Sequence, residues 1–281
     1  FLIKLAQVFY FKDWIFMANE DEIIYIENAL KMLFYQMKPG LFFHGALYFN
    51  LLASLYFCFF AVGKVAGWFG SSGDFILFFL ERPEVFYFLG RMFSVCISTA
   101  VVYLVYRLGT HLWDKRTGLL AALFVSLTPM VLMQGIKTSV YSAANFWIVA
   151  AAFYGLTSLK KDGLRHALAA GLVFGLALSA DYYALFLLPF FAVLFCSRDR
   201  PRKTIADIFI FFVSALGVFF AVNPYLLLNP GTAWSSIGQQ IDIAVFGEYG
   251  RPHRLSFYLR LLLTPPYLFV SGLFLVGAWF S

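Results

Sequence analysis

The sequence carries little charge. Only 13% of its 281 residues are Asp, Glu, Lys or Arg, whereas 62% are hydrophobic and 36 are phenylalanine. This composition excludes a soluble globular domain, whose surface needs many more charged side chains. Apolar runs close to the roughly 20 residues that cross a bilayer recur along the chain. The sequence therefore predicts an all-α, polytopic helical membrane protein.

Cysteine and metal-binding patterns are also scarce. The three cysteines, Cys58, Cys96 and Cys196, all lie in apolar runs, which excludes a disulfide framework and a cysteine metal cluster. No metal-ligand spacing such as HExxH occurs in the chain. We therefore expect no tightly bound metal or other cofactor, while a loosely held divalent cation at the acidic residues stays open.

Positive charge is in excess, with a net charge of +6, but the basic residues gather in short loops between apolar runs. Such a distribution is not typical of nucleic-acid binding, so no nucleic-acid partner is expected. Basic loops at 114–116, 160–166 and 197–203 alternate with loops poor in Lys and Arg around Lys137 and Asp181. The positive-inside rule predicts that the basic loops are cytoplasmic and that the other loops face outward.

The apolar runs after position 85 predict seven spans, at 86–112, 118–135, 140–158, 167–180, 182–197, 204–223 and 258–281. The fourth and fifth are short for two crossings, so a bent or deeply buried hairpin near Asp181 is the alternative. Gly171 and Gly175 have the spacing typical of close helix packing. Because the chain starts at Phe1 without a methionine and stops inside an apolar run, we expect it to be a fragment truncated at both ends.

Three consecutive acids, Glu20, Asp21 and Glu22, begin a predicted amphipathic helix in this apolar background. In one interpretation they only stabilise the helix start, because Asn19 is a good N-cap and Glu22 stands three residues after it. In the other, a carboxylate partly out of water at the interface acts as a base with a raised pKa. The residues leave both open, and they also leave open whether segment 41–66 crosses the membrane.

Several stretches of the chain form an ordered set of motifs. The pair Asp21-Glu22 is followed by ALKM at 29–32 and PGLFFHGALY at 39–48. A long apolar stretch at 89–132, beginning LGRMFSVC, comes next, and NPYLLLNP at 223–230 and GEYGRPHRLSFYLRLLL at 247–263 follow. This set resembles the family 39 type membrane glycosyltransferases, which include protein O-mannosyltransferases and the lipid A aminoarabinose transferase. The similarity covers nearly the whole chain in the right order.

The resemblance implies a GT-C-like fold of about eight or more spans, of which residues 1–281 would be the transmembrane glycosyltransferase domain. It implies that residues 13–85 are a first external loop of membrane-hugging helices, so that 41–66 does not simply cross. Residues 224–257 would be a later external loop. The protein would be a multi-pass protein of the cell membrane, in contact with membrane lipid, with its active site facing outside.

The resemblance also implies a reaction. A sugar linked to polyprenyl phosphate would be transferred to a hydroxyl group of a protein, lipid or glycan acceptor, with inversion at the anomeric carbon. Asp21 would be the general base. Glu22 would orient Asp21 or a bound cation, with helix capping as the equal alternative.

The residues expected to contact the substrate are Tyr25, His44, Arg91, Lys137, Asp181, Arg251 and His253. Five of them have a structural alternative as well. Lys137 would also fit a lysine that snorkels to the interface, and Arg91 a membrane anchor. Arg251 and His253 would also fit a solvated surface, and His44 a hydrogen-bonded interfacial histidine.

The chain departs from the family's pattern at two positions. Where many relatives have an Asp at the start of the span after the lysine, this chain has Ser139 and Tyr141. Where many have a Lys-Tyr pair, it has Asp181-Tyr182, which reverses the charge. An acid close to the membrane is by default functional, so Asp181 is expected to take over part of the missing acid's role or to pair with Lys137.

Two other function classes are alternatives to the transferase. Asp181 and the outward acids would also fit an ion-coupled transporter, and a non-catalytic scaffold in a membrane complex is a third alternative. No inverted repeat relates the two halves of the chain, and a transporter does not explain the amphipathic helix after Asp21. The sequence therefore favours the transferase.

Overall fold

The computed structural model describes residues 2–10, 20–36, 44–159, 164–196 and 201–232, together with positions 235 and 238. The chain divides into two compact units, Phe1–Pro230 and Gly231–Ser281, and the helices below belong to the first. Regular structure in the described residues is helical throughout, with no strand. The predicted fold class, an all-α membrane protein, is confirmed.

Twelve α-helices follow one another in the described part of the chain. They are α1 (Leu2–Tyr10), α2 (Glu20–Lys31), α3 (Leu47–Val65), α4 (Ser72–Glu81), α5 (Pro83–Leu112), α6 (Lys115–Leu127), α7 (Pro129–Gly135), α8 (Val140–Leu159), α9 (Leu164–Ala180), α10 (Leu188–Cys196), α11 (Pro201–Val222) and α12 (Tyr225–Leu228). A π-helical turn, Met32–Gln36, extends α2, and a 3-10 helix, Tyr182–Leu187, precedes α10.

Four of the described helices are long and apolar enough to cross a membrane: α3, α5, Val140–Thr157 of α8 and Ile205–Val222 of α11. Two shorter apolar helical stretches, Leu164–Ala180 and Tyr182–Phe195, accompany them. The predicted spans at 86–112, 140–158 and 204–223 thus coincide with long apolar helices. The span at 258–281 lies outside the described residues, and the predicted total of about eight or more spans stays a prediction.

The predicted span at 118–135 is divided between two helices, and whether it crosses the membrane stays a prediction. Thr128 takes an extended conformation, with φ −63° and ψ 121°, and separates α6 from α7. Pro129 explains the break, because a proline ring disfavours the helical conformation of the residue before it and has no N–H to continue the helix. Proline is favoured at the first position of a new helix, which is where Pro129 lies in α7.

A bend also occurs near Asp181, as one of the two alternatives predicted. Asp181 is extended, with φ −157° and ψ 142°, and its side chain accepts a hydrogen bond from the Tyr183 N–H at 3.1 Å. The chain therefore leaves α9, turns at Asp181 and continues as a 3-10 helix before α10.

Small residues bring α9 and α11 together, as the spacing of Gly171 and Gly175 predicts. A Cβ on Gly171 would overlap the Phe211 carbonyl, and a Cβ on Gly175 would lie 2.5 Å from the Ala215 carbonyl. Phe174 stacks on Phe211 beside these glycines, with ring centroids 5.3 Å apart. The prediction of close helix packing is confirmed.

Helix α3 packs along the first third of α5 rather than along its whole length. The Tyr48 ring lies 6.4 Å from the Phe93 ring, and the Tyr56 hydroxyl donates to the Phe86 carbonyl at 3.0 Å. Helix α3 therefore runs antiparallel to α5, and its C-terminal end lies towards Pro83. With 30 residues, α5 is about 45 Å long, roughly 15 Å more than the hydrocarbon core of a bilayer.

Candidate functional site

Glu22 lies in the first turn of α2 and is almost completely buried, with 1% of its surface exposed. Its carboxylate accepts hydrogen bonds from the Arg91 guanidinium, from Nε at 3.2 Å and from Nη2 at 2.9 Å. The Thr138 N–H donates a third bond at 2.6 Å. A buried charge must be paired and hydrogen-bonded to be tolerated, and Glu22 meets both conditions.

Gly90 allows the turn before α8 to come close enough to α5 for the Thr138 N–H to reach Glu22. A Cβ at Gly90 would lie 2.6 Å from the Thr138 hydroxyl oxygen, so the turn before α8 rests directly on the backbone of α5. Glu22 therefore connects three parts of the chain that are far apart in sequence: α2, α5 and the turn at 136–139.

The Glu22 carboxylate bonds to Arg91 and Thr138. Asn19, the proposed cap residue, lies outside the described residues, so the capping role of Glu22 stays a prediction. One expectation is corrected here. The Arg91 guanidinium is buried in the ion pair, 4% exposed, and also faces the Tyr87 ring at 5.7 Å. Its charge is thus compensated inside the protein, which argues against both a phosphate-binding role and a simple interfacial anchor.

Asp21 and Tyr25 share another face of α2, because residues four apart lie above one another on a helix. Asp21 is half-buried and Tyr25 is buried. Burial raises the pKa of the Tyr25 hydroxyl, and the negative charge of Asp21 raises it further, with smaller contributions from Tyr141, Tyr48 and Asp181. Tyr25 is therefore a neutral phenol in an acidic neighbourhood that includes both Asp21 and Asp181.

His44 lies between Tyr25 and Asp181. Its Nδ1 is 3.0 Å from Oδ2 of Asp181, and its Nε2 is 3.5 Å from the Tyr25 hydroxyl. The Asp181 side chain is buried and pairs with His44 and the Tyr183 N–H. The predicted pairing of Asp181 with Lys137 is wrong, because the turn at Asp181 directs its carboxylate to His44.

Asn223 fastens the segment that carries His44. Its side-chain oxygen accepts from the Ala46 N–H at 2.7 Å, and its side-chain nitrogen donates to the Ser179 hydroxyl at 3.0 Å. Gly45 is needed for this approach, since a Cβ there would overlap the Ser179 carbonyl. The 44–46 segment is thus held against the end of α9, where Asp181 follows.

Aromatic residues complete the surroundings of His44. The Tyr141 ring lies edge-on to His44 with centroids 5.8 Å apart, and Tyr183 stacks on Tyr141 at 6.3 Å. Sequence reasoning did not assign a role to Asn223, Thr138 or Tyr183. The only available signal was for Asn223, a polar residue at the end of an apolar run just before a proline.

The remaining predicted site residues differ in how far the structure describes them. Lys137 is half-buried and immediately precedes Thr138, so it lies at the edge of the Glu22 pair. Arg251 and His253 lie outside the described residues. Within the described residues, no group of three or more His, Cys, Asp or Glu side chains is arranged to hold a metal ion, and the expectations about cofactors stay predictions.

The contacts bring the predicted outward-facing residues to one end of the helices. Glu22 meets Thr138, His44 meets Asp181, and Ala46 meets Asn223. The architecture and this polar cluster define a helical membrane protein with a buried, ionisable site at one end. A family model described as dolichyl-phosphate-mannose-protein mannosyltransferase matches residues 84–227, just over half of the chain.

The chain therefore belongs to the dolichyl-phosphate-mannose-protein mannosyltransferase family, a family of membrane glycosyltransferases. The matched region contains Arg91, Lys137, Asp181 and Asn223, whereas Asp21 and His44 precede it. Comparisons with curated proteins and with solved structures find no match.

Proposed function

We propose that the protein transfers a sugar from a polyprenyl-phosphate-linked donor to an acceptor hydroxyl, with Asp21 as the general base. The family supports the donor class, and the family's description makes mannose the first sugar to test and a protein the first acceptor. The observation that carries the role of Asp21 is its half-buried position one turn before Tyr25, beside the rigid Glu22–Arg91 pair. Closer likeness to the lipid A aminoarabinose transferase stays a prediction.

In this reaction Asp21 takes the proton of the acceptor hydroxyl while that oxygen attacks the anomeric carbon. The bond between the anomeric carbon and the phosphate oxygen breaks, and polyprenyl phosphate leaves with the electron pair. A single displacement of this kind inverts the anomeric carbon. Because phosphate is a stable leaving group, electrostatic stabilisation matters more than a second carboxylic acid.

Glu22 serves this reaction as a positioning residue. Its three hydrogen bonds to Arg91 and Thr138 fix the first turn of α2, and successive residues on a helix point in different directions. Asp21 is therefore directed away from the ion pair and towards the face that carries Tyr25.

Lys137 is the described cation best suited to the donor phosphate, since Arg91 already compensates Glu22. Among the described residues Lys137 forms no ion pair, and it lies next to Thr138 at the edge of the site. Arg251 and His253 remain proposed contacts from the later loop.

We further propose that the site faces outside. The basic loops at 114–116, 160–166 and 197–203 support this orientation by the positive-inside rule. The packing of α3 beside the beginning of α5 supports an external loop that hugs the membrane. The whole of α5, with 30 residues, is about 15 Å longer than one crossing, so its beginning can lie outside the hydrocarbon core.

The transporter alternative loses its main support. It required Asp181 as an ion-coupling carboxylate, whereas the Asp181 side chain bonds to His44 and caps the following 3-10 helix. Membership of a glycosyltransferase family also favours the transferase.

The test compares Asp21→Asn with the matched control Glu20→Gln on the same helix. Asn has nearly the size of Asp but cannot take the proton, so turnover should fall by roughly 10²–10⁴ while the protein still binds donor. Glu20→Gln should leave the rate nearly unchanged. The measurement is mannose transfer from dolichyl phosphate mannose to a Ser/Thr peptide, normalised to monodisperse protein. Wild-type turnover by Asp21→Asn would remove Asp21 as the base.

A further inference from the structure

A single hydrogen bond joins the two segments that carry the proposed base and the proposed phosphate ligand. The Thr138 N–H donates to Oε1 of Glu22 at 2.6 Å, the shortest of the three bonds that this carboxylate accepts. Asp21 immediately precedes Glu22, and Lys137 immediately precedes Thr138. The position of Lys137 relative to the first turn of α2 therefore depends on where Thr138 lies.

The turn at 136–139 is tied to its flanking helices by its own side chains. The Ser139 hydroxyl donates to Oε1 of Gln134 at 2.9 Å, and the Ser142 hydroxyl donates to the Gln134 carbonyl at 2.9 Å. These bonds link the end of α7 to the first turn of α8. Because the turn is held at both ends, a displacement of Thr138 also displaces the backbone of Lys137.

The side chain of Thr138 rests on α5 at Gly90. A Cβ on Gly90 would lie 2.6 Å from Oγ1 of Thr138, 2.8 Å from its Cγ2 and 3.3 Å from its Cβ. The Thr138 hydroxyl is buried and has no hydrogen-bond partner in the described part of the chain. The contact is therefore steric, and the absence of a side chain at Gly90 sets how closely the turn approaches α5.

The same stretch of α5 also holds Glu22. Arg91 follows Gly90 directly, and its guanidinium bonds to the Glu22 carboxylate at 3.2 Å and 2.9 Å. Two adjacent residues of α5 therefore fix the two partners of the hydrogen bond: Gly90 fixes Thr138, and Arg91 fixes Glu22. These four residues form a closed ring of contacts, in which a push at one contact changes the others.

We propose that Gly90 and Thr138 are positioning residues of the donor site, and that their contact sets the position of Lys137 and of the donor phosphate that it binds. This rests on the proposed function, in which Lys137 is the cation for that phosphate. A displacement reaction needs the attacking oxygen, the anomeric carbon and the leaving oxygen in line. A cation that stabilises the leaving phosphate must therefore be held in place before the reaction begins.

Gly90→Ala tests the steric contact. The new methyl group does not fit beside Thr138, so the turn must move away from α5 and carry Lys137 with it. We expect kcat/KM for dolichyl phosphate mannose to fall by about tenfold, less than the 10²-fold that a 1 Å misplacement can cause. The measurement is transfer to a saturating Ser/Thr peptide, normalised to monodisperse protein. Thr138→Ile enlarges the same contact from the other side and should have the same effect, which keeps the test open if Gly90→Ala does not fold.

Thr138→Ala provides a rescue of Gly90→Ala. It removes Oγ1 and Cγ2, the two atoms closest to the new methyl group, and it keeps the N–H that bonds to Glu22. The double variant Gly90→Ala/Thr138→Ala should therefore regain a donor kcat/KM within about twofold of wild type, since the two changes act on one contact. A loss that persists or deepens in the double variant would overturn the proposal.

A matched control separates the donor site from general damage to α5. Gly109 lies on the same helix, and a Cβ there would lie 2.8 Å from the Gly118 Cα. Gly109→Ala should therefore lower the unfolding midpoint while it leaves the donor kcat/KM per folded protein unchanged. An equal loss of donor kcat/KM in Gly109→Ala and Gly90→Ala would show that crowding anywhere on α5 has this effect, which would overturn the proposal.

A double-variant cycle shows whether Gly90 acts through Lys137. In a Lys137→Gln background, Gly90→Ala should change the donor kcat/KM by less than about twofold, because the charge that it displaces is already absent. Losses that simply add in Gly90→Ala/Lys137→Gln would mean that Gly90 acts on another part of the site. That result would overturn the proposal.

Binding of dolichyl phosphate to the protein in lipid nanodiscs tests the donor site without any turnover. Gly90→Ala and Lys137→Gln should each weaken binding by about tenfold, the lower end of the effect of losing a hydrogen bond to a charged group. Gly90→Ala/Thr138→Ala should bind like the wild type. Unchanged binding by Lys137→Gln would overturn the proposal. Wild-type turnover by Asp21→Asn would instead overturn only the proposed base, because dolichyl phosphate binding does not involve proton transfer.

Discussion

The site contains two pairs in which a buried carboxylate meets a nitrogen-bearing side chain, and they are built in different ways. Glu22 and Arg91 contact each other through two hydrogen bonds, and a backbone N–H satisfies the carboxylate further. Asp181 and His44 share one hydrogen bond, and the other nitrogen of His44 points to Tyr25. The carboxylate of the first pair is held by three hydrogen bonds, whereas the second pair ends in an imidazole whose other nitrogen faces a tyrosine hydroxyl. The first pair is therefore enclosed by its partners, and the second is more open.

The two pairs also differ in what holds them. Glu22 is fixed by its own partners, so removal of either partner leaves an uncompensated charge inside the protein. His44 depends on Asn223, which joins the 44–46 segment to the end of α9. A change at Asn223 should therefore act on the second pair without touching the first.

The largest effect on stability is expected from breaking the closed pair. Glu22→Gln or Arg91→Met alone leaves one buried charge without its partner and should destabilise the protein by about 3–5 kcal/mol. The double variant Glu22→Gln/Arg91→Met removes both charges and still offers the Thr138 N–H an acceptor. It should therefore be much more stable than either single variant in thermal unfolding of the detergent-solubilised protein.

Additive losses in that double variant would contradict this account. They would mean that Glu22 and Arg91 contribute independently, and that the pair is not the unit that fixes α2. Tyr103→Phe on the exposed side of α5 provides the reference, because it should leave the unfolding midpoint nearly unchanged.

A smaller effect is expected from Asn223→Ala. The Ala46 N–H would lose its acceptor, and a buried donor without a partner costs about 1–3 kcal/mol. The variant should also loosen the contact between His44 and Asp181, since the 44–46 segment is no longer fastened to α9. Unfolding midpoints and nitrogen NMR of the His44 side chain on the same preparation check both parts. An unchanged His44 signal in Asn223→Ala would show that the second pair needs no external support.

The smallest effect is expected far from both pairs, at Asp74. Its carboxylate accepts from the Gly70 and Ser71 N–H groups and forms a capping box with Ser71 at the start of α4. Asp74→Ala should destabilise the protein by about 1 kcal/mol, typical of a lost helix cap, and leave sugar transfer per folded protein unchanged. A loss of transfer greater than the loss of folded protein would show that α4 takes part in the site.

The comparison with Asp74 also explains why the acids at 20–22 were ambiguous. Asp74 and Glu22 both lie in the first turn of a helix, and local sequence suggests a capping role for each. Asp74 has that role, whereas Glu22 bonds to a guanidinium 69 positions away in the sequence. No local pattern distinguishes them, because the distinction depends on which distant residue meets the helix.

The sequence by itself determined the class of protein. A chain with so few charges and such long apolar runs must satisfy its backbone hydrogen bonds within helices, and the small residues Gly171 and Gly175 already indicated where two of these helices meet. Pro129 indicates a helix break within 118–135, but the apolar run around it favours a single span. Local chemistry therefore decided where helices form and how some of them pack.

Only the tertiary structure decided the partners of the ionisable residues. Glu22 has Arg91 and Thr138, and Asp181 has His44 rather than Lys137. Each of these contacts joins residues 69 to 137 positions apart. The sequence indicates that an acid close to the membrane needs a partner, but it does not indicate which residue that partner is. The physical reason is that charge is buried only where the packing of several helices brings a complementary group within hydrogen-bonding distance.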